Sequence, residues 1–330
     1  MKNPFHRPLS AFWLASSAIA LIVAVILPAV LLPFHLRVLQ QIFLFGGMAI
    51  AWGFLGGFTT YWSFGHTAFI GLGAFSSALF EQWLGPAIAP ELRLACGLLI
   101  AVVITFAVAI LIALPILKLR GVYFAIGMLA FAEILGEASR NFDIFQGAIG
   151  VSLPAVSLPG VSSVSLFYWL FLMLFVVNSL IFIALRRSRI GMGLICIGQD
   201  EDTANMLGVP AERHKRIAFV LSACMISIGG VLYAHSLGFI TTGSVFRVEH
   251  SLDMIVFNML GGIGTVIGPA LGTAIMVFVT QIVLGRLLDY HLMLTGVILI
   301  AIVSLAPAGL IGLVESRYRR RRSTQIGTAL

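Results

Sequence analysis

Leu94-Ala95-Cys96-Gly97-Leu98-Leu99-Ile100-Ala101-Val102-Val103-Ile104-Thr105-Phe106-Ala107-Val108-Ala109-Ile110-Leu111-Ile112-Ala113-Leu114-Pro115-Ile116-Leu117 holds no charged side chain between Arg93 and Lys118. A bilayer core needs roughly 20 apolar residues as helix, so this run is long enough to cross one. Backbone polar groups in hydrocarbon must be satisfied within a helix or a closed barrel. The run is continuous rather than alternating, so it reads as helix and not as barrel strand. Similar runs lie at about 11–33, 38–60, 64–82, 93–117, 122–139, 166–185, 217–238, 266–285 and 290–308, with a shorter one at 251–263. The fold class that follows is all-α: a polytopic membrane protein with about ten transmembrane helices, at least one of them short or broken.

Composition agrees with that reading. Of 330 residues, 60% are hydrophobic and 10% charged, with mean hydropathy +1.06. Soluble domains run about half apolar and a quarter charged, so this chain has too little polar surface for a water-soluble fold of its size. The net charge is +7. Its basic residues sit between apolar runs, which a membrane explains without a nucleic-acid partner. Cys96, Cys196 and Cys224 are isolated and odd in number. They support neither a disulfide framework nor a metal site. Lys2 and Arg7 precede the first run, which is longer than a signal-peptide core and lacks a small-residue cleavage site. It reads as a retained first span.

Charge placement sets an expected orientation. With the N-terminus inside and the spans alternating, 15 Lys and Arg fall inside and 5 outside (Arg37, Arg93, Arg140, Arg247 and Arg286). That asymmetry is the positive-inside pattern. Placing Arg317 and Arg319 to Arg322 inside requires an even number of spans, so 251–263 must cross. Gly261, Gly262 and Gly264 interrupt it, and a broken helix is tolerated only inside protein or beside a water-filled cavity. The expected layout is one membrane domain over 1–330. It has a cytoplasmic N-terminus at 1–10, six spans over 11–185, a cytoplasmic loop at 186–216, four spans over 217–308 and a basic cytoplasmic tail at 309–330.

The loop is the most informative polar segment. Gly198-Gln199-Asp200-Glu201-Asp202-Thr203-Ala204-Asn205-Met206-Leu207-Gly208 reads as a short helix capped by Asp200. Glu201 and Asp202 in its first turn suit the helix dipole, and Gly208 is placed to end it. Six basic residues flank it. A solvated charged loop and a docking helix for a soluble partner both fit this pattern. No G-x-x-x-x-G-K-[ST] phosphate loop, H-E-x-x-H or G-x-S-x-G occurs, so no catalytic residues are assigned and the chain reads as a non-enzyme.

The same segment resembles the cytoplasmic coupling loop of bacterial ABC-transporter permeases, a Glu-Ala-Ala pattern followed by Gly. Glu201 and Gly208 fit the anchor positions, Ala204 fits one alanine and Thr203 replaces the other. Ser63-Phe64-Gly65-His66-Thr67-Ala68-Phe69-Ile70-Gly71-Leu72-Gly73-Ala74 resembles the Ser-x-Gly-His-x-x-Phe-x-Gly-x-Gly-Ala stretch of branched-chain amino-acid permeases. Leu119 to Ile126, Leu129 to Ile134, Ser188 to Gly191 and Leu260 to Pro269 resemble segments of the LivM branch of that family. The resemblance covers roughly 40–310. It implies a permease subunit of an ATP-driven importer in the bacterial inner membrane, for branched-chain amino acids or related small polar solutes such as urea or short amides. It also implies partners: a second, LivH-like permease, two cytoplasmic ATPase subunits and an external substrate-binding protein. This chain would bind no cofactor itself, ATP being used by the partner subunits. Asp200, Glu201, Thr203, Ala204 and Gly208 would form the ATPase-coupling loop.

Candidates for the translocation path are Gly65, His66, Glu133, Asn258, Gly261 and Gly262. Each also has a structural reading. Gly65 permits close helix packing, and His66 fits a hydrogen-bonded histidine near the cytoplasmic interface. Glu133 sits in the fifth run, where a membrane-embedded carboxylate is a functional hypothesis by default. It is expected to face the bundle interior, whereas Glu137 pairs with Arg140 at i+3. Asn258, Gly261 and Gly262 lie on the broken eighth run, which can expose backbone groups to a cavity. Two rivals remain. An ion-coupled secondary transporter would use Glu133 and Asp253 but leaves 186–216 without a use. A passive solute channel would conduct without partners.

Overall fold

The computed structural model of the chain describes residues 22–29, 31–85, 88, 90–145, 149–156, 160, 162–283, 296 and 309–310. The start of the first expected span, most of the tenth and most of the basic tail lie outside the described residues, as does the N-terminal segment 1–10. In chain order the helices are α1 (Pro33–Trp52), α2 (Gly56–Thr59), α3 (Thr67–Trp83), α4 (Pro90–Ile116), α5 (Val122–Asn141) and α6 (Ser163–Arg187). There follow α7 (Arg189–Gln199), α8 (Glu201–Met206), α9 (Ala211–Leu237), α10 (Thr242–Val245), α11 (Val248–Gly261) and α12 (Ile267–Phe278), the last continued by a π-helical turn at Val279–Val283. Two two-residue strands, β1 (Val151–Ser152) and β2 (Phe239–Ile240), pair antiparallel with Val151 opposite Ile240. Five of the helices, α1, α4, α5, α6 and α9, are long and apolar enough to span a bilayer.

Side-chain contacts fix the directions. His66 meets Ser222 and Glu81 meets His235, so α3 and α9 run parallel. Thr105 bonds Ser227 while the Leu117 carbonyl accepts from Lys215, so α4 runs antiparallel to α9. Gln40 donates to the Val164 carbonyl and Asn178 to that of Gly47, which sets α1 parallel to α6. The result is an alternating bundle. α1, α4, α6 and α11 run toward the end that carries α8, and α3, α5, α9 and α12 run away from it.

α9 is the central post. Phe219, Ala223, Ile226, Gly230 and Ala234 are buried along it. Small residues let the other spans approach it: Gly73 lies against the Ser227 backbone and Gly230 against that of Ile70, the packing device membrane helices use where lipid offers no hydrophobic drive. The outward face of α4, by contrast, exposes Leu99, Val103, Phe106, Ile110, Leu111 and Leu114, a surface suited to hydrocarbon.

Three expectations change in detail. The run 38–60 is not one helix. It turns at Gly53–Leu55, resumes as α2 and gives way to non-helical backbone over Thr60–Gly65. Tyr61, Ser63 and Gly65 in that stretch are buried, the Trp52 indole donates to the Ser63 carbonyl (2.9 Å), and α3 starts only at Thr67. The loop expected at 186–216 is largely helical, because α6 runs through Arg187 and α7 follows at once, capped by Ser188 on Gly191 (3.1 Å). The short run at 251–263 lies on α11, the second piece of a two-piece helical segment: α10 comes first, the chain breaks at Phe246–Arg247, and α11 runs on toward the end that carries α8. At 14 residues, α11 is about 21 Å long at 1.5 Å per residue, too short to cross alone.

Candidate functional site

α8 begins where Asp200 leaves the helical region and its carboxylate accepts the Thr203 amide at 2.6 Å. Hydrogen bonds from Thr203, through side chain and backbone, hold the Asp200 carboxyl below the usual carboxylate range. The helix ends at Gly208, whose φ of +83° is a left-handed conformation that glycine adopts without steric cost. The Asn205 side chain accepts the Ala211 amide (3.2 Å) and the Ala204 carbonyl accepts the Val209 amide (3.0 Å), so the end of α8 is tied to the start of α9.

Glu201 anchors this helix into the bundle. One carboxylate oxygen takes the Lys215 ammonium at 2.8 Å and the other the Tyr61 hydroxyl at 2.5 Å. Lys215 also donates to Tyr61 Oη (2.9 Å) and to the Leu117 carbonyl (3.3 Å), and its side chain is 1% exposed. Burial by itself raises the Glu201 carboxyl. The bonds from Lys215 and Tyr61, with the charges of Lys215 and Arg120, outweigh burial and hold it below its ordinary value. Arg120 grips Asp202 through two bonds of 3.0 and 3.1 Å. The inner side of α8 is thus Glu201 and the buried Ala204. Its outer side presents Met206 and Leu207, 88% and 75% exposed.

At the opposite end of the bundle lies a cavity of about 1040 Å³. α1 contributes Arg37, Gln40 and Gln41, α9 contributes Tyr233 and His235, and α11 contributes Glu249, His250 and Asp253; Arg247 stands just before α11. Apolar walls come from Phe167, Val256, Phe257 and Met276. Two guanidinium groups, Arg37 and Arg247, two carboxylates, Glu249 and Asp253, and an apolar lining share one space, with Arg247 and Glu249 3.5 Å apart.

The five loop residues read from the sequence all fall on α8 or its end. The six path candidates are not brought together, and none lines the cavity. Gly65 packs so closely that a Cβ there would overlap the Met128 carbonyl, and one at Gly261 would overlap that of Gly268. Asn258 is buried and donates to the Ala49 and Met254 carbonyls, both at 2.8 Å. Gly262 ends α11 at φ +124°. His66 is fully buried and meets Ser222 Oγ at 3.0 Å. Ser222 is the twelfth residue of α9, past its charged first turns, so His66 is enclosed by the bundle. The reason is the non-helical climb before α3. Glu133 is exposed on α5 and does not face the interior of this chain.

Sequence reasoning missed Tyr61, Lys215, Met206 and Leu207. Lys215 read as one more basic residue flanking a span. Tyr61 carried no signal, because its partner Glu201 is 140 residues away.

A family model for the branched-chain amino acid transport system / permease component matches residues 34–303. The high-affinity branched-chain amino acid transport system permease protein LivM of Escherichia coli strain K12 is 27% identical over 290 residues, 80% of this chain and 66% of that protein. The LivM protein of Salmonella typhimurium strain LT2 is 27% identical over 282 residues, 77% of this chain and 64% of its own length. The autoinducer 2 import system permease protein LsrC of Klebsiella pneumoniae subsp. pneumoniae is 30% identical over 135 residues, 40% of this chain and 38% of that protein. The chain thus spans just under two thirds of the length of these two LivM proteins. No solved structure matches.

Proposed function

Taking as premise that this chain belongs to the branched-chain amino acid transport system permease family, we propose that it forms one half of the membrane passage of an ATP-driven importer. The observation that carries this reading is α8, a six-residue helix pinned inward by Glu201 and turned outward with Met206 and Leu207. An apolar pair on a solvated, charge-flanked surface is a docking knob, and a cytoplasmic ATPase subunit is its partner. A second permease supplies the other half of the passage, and an external binding protein delivers the solute.

The mechanism is alternating access driven through this anchor. Movement of α8 pulls on Lys215 at the start of α9 and on Tyr61 at the start of the non-helical stretch. That stretch leads to Thr67, whose amide bonds Ser251 Oγ (2.8 Å) and whose hydroxyl donates to the Arg247 carbonyl (2.8 Å). Arg247, Glu249, His250 and Asp253 line the cavity. Hydrogen-bonded groups therefore link the docking helix to the cavity wall, so a rigid-body push at α8 reshapes the space where solute passes.

The solute class we infer is a zwitterionic amino acid with an apolar side chain. Arg247 suits its carboxylate, Glu249 or Asp253 its ammonium, and Phe167, Phe257 and Met276 its side chain. A neutral amide is the second reading, favoured by Gln40, Gln41 and Gln281 on the same wall.

The test is co-purification of ATPase subunits from mild detergent with the intact chain and with a Met206→Glu, Leu207→Arg double variant. ATPase bound to the intact chain and lost from an equally monodisperse variant supports the reading. ATPase absent from both, under detergents that preserve other complexes, sinks it.

A further inference from the structure

We propose that the outer face of α5, formed by Ile126, Ala130, Glu133 and Glu137, is the seam on which the second permease packs, with a hydrogen-bond donor of that partner meeting Glu133. The proposal rests on the half-passage reading above and names where the other half meets this one.

α5 buries a single stripe. Phe124, Met128, Ala132, Gly136 and Ser139 face the bundle, where Ser139 meets Thr242 Oγ1 at 3.0 Å. On the opposite side Ile126, Ala130, Glu133 and Glu137 share one face at helical spacing and are exposed. Glu137 is one turn from the far end and is held by Arg140 at 2.5 Å. Glu133 lies about 16 Å from the helix start at 1.5 Å per residue, midway along a 20-residue span. Among the described residues it has no hydrogen bond or ion pair. A carboxylate at that depth is too short to reach either interface, and charged residues within spans face protein or water rather than lipid. α4 shows what a lipid face looks like here: its exposed side from Leu99 to Leu114 is wholly apolar. The two outer faces therefore call for different neighbours.

The carboxylate also sets what the partner presents. A second copy of this chain would make an isologous contact, with the same patch on both sides. Along this face that brings Glu133 toward its own counterpart, and like charges close together in a poorly solvated seam repel. A partner with Lys, Arg, His, Asn or Gln opposite Glu133 satisfies it. Ala130, small and exposed on that face, keeps the stretch beside Glu133 low enough for close approach.

The experiment places p-benzoylphenylalanine at Ile126 or Ala130 on α5, and at Val103 or Leu111 on α4, in the full chain within its native membranes. Adducts are mapped by mass spectrometry, and ATPase co-purification is scored on the same extracts. The expected result is an adduct from both α5 positions, and neither α4 position, to an apolar span of a second polytopic chain with a donor side chain beside the linked residue. Adducts of the chain to itself overturn the proposal, as do equal yields from α4 and α5 or lipid adducts alone. ATPase retained without a seam adduct defeats this proposal and leaves the importer reading standing. A seam adduct without ATPase does the reverse.

Discussion

Glu201 is a carboxylate whose surroundings tie a surface helix into the bundle through Lys215 and Tyr61. Replacing it with Leu strands the Lys215 ammonium, which is 1% exposed, and removing one member of a buried pair costs roughly 3–5 kcal/mol. Thermal unfolding of the detergent-solubilised chain should show that loss. Adding Lys215→Met should recover most of it, because a buried pair replaced by apolar groups is often neutral. ATPase coupling should not recover in the double variant, since the tie to Tyr61 and Lys215 is gone. The pH dependence has a definite sign. A carboxyl held below its ordinary value binds its proton more weakly when folded than unfolded, so its stabilisation is present above the unfolded value and fades as pH falls through the folded one. Anchoring of α8 should therefore hold through neutral pH and be lost only in acid below the usual carboxylate range, as followed by the anisotropy of a dye at Met206→Cys in a chain lacking its native cysteines. At this scale the local features were legible. Asp200 caps and Gly208 terminates because both act within a few residues of themselves. Tyr61 and Lys215 were not, because an anchor across 140 residues leaves no trace in spacing.

The elements show where hydropathy misleads. The runs 38–60 and 64–82 read as two helices, yet the chain between Trp52 and Thr67 turns, coils and climbs. Apolar residues serve buried irregular backbone as well as helix, so a hydropathy window does not separate them. What fixes the path is close contact: Gly65 sits where any side chain meets the Met128 carbonyl. Gly65→Val should sharply reduce the monodisperse fraction recovered in detergent. Gly57→Ala should not, because a Cβ at Gly57 meets Gly264 atoms at 3.4 and 3.6 Å, ordinary contact distances. The glycines of the eighth run marked where α11 ends, at Gly262. The break before it, between α10 and α11 at Phe246–Arg247, was not legible, because Arg247, Glu249 and His250 make that stretch read as a polar loop between apolar runs.

For the whole molecule, the link from α8 to the cavity is the property to test. Ser251→Ala leaves the buried Thr67 amide without its side-chain acceptor, at a cost of about 1–3 kcal/mol. In proteoliposomes rebuilt with the partner subunits it should lower solute taken up per ATP hydrolysed while ATPase association persists. Asp253→Asn, on the cavity wall, should reduce uptake and leave ATPase binding at α8 intact. Loss of ATPase binding from that variant would refute the separation of the two sites. The sequence by itself determined that this is an all-α, multi-pass membrane protein. It also determined that a capped helix stands at 200–208 and that the eighth apolar run stops at its glycines. Each follows from runs, caps and glycines that act along the chain. Only the tertiary structure decided that Glu201 is held by Tyr61 and Lys215, that His66 is enclosed by the bundle, that Glu133 faces outward and that Arg247, Glu249 and Asp253 line the cavity. Helix rotation and depth depend on which side chains interlock between distant spans, and neither hydropathy nor spacing encodes that interlocking.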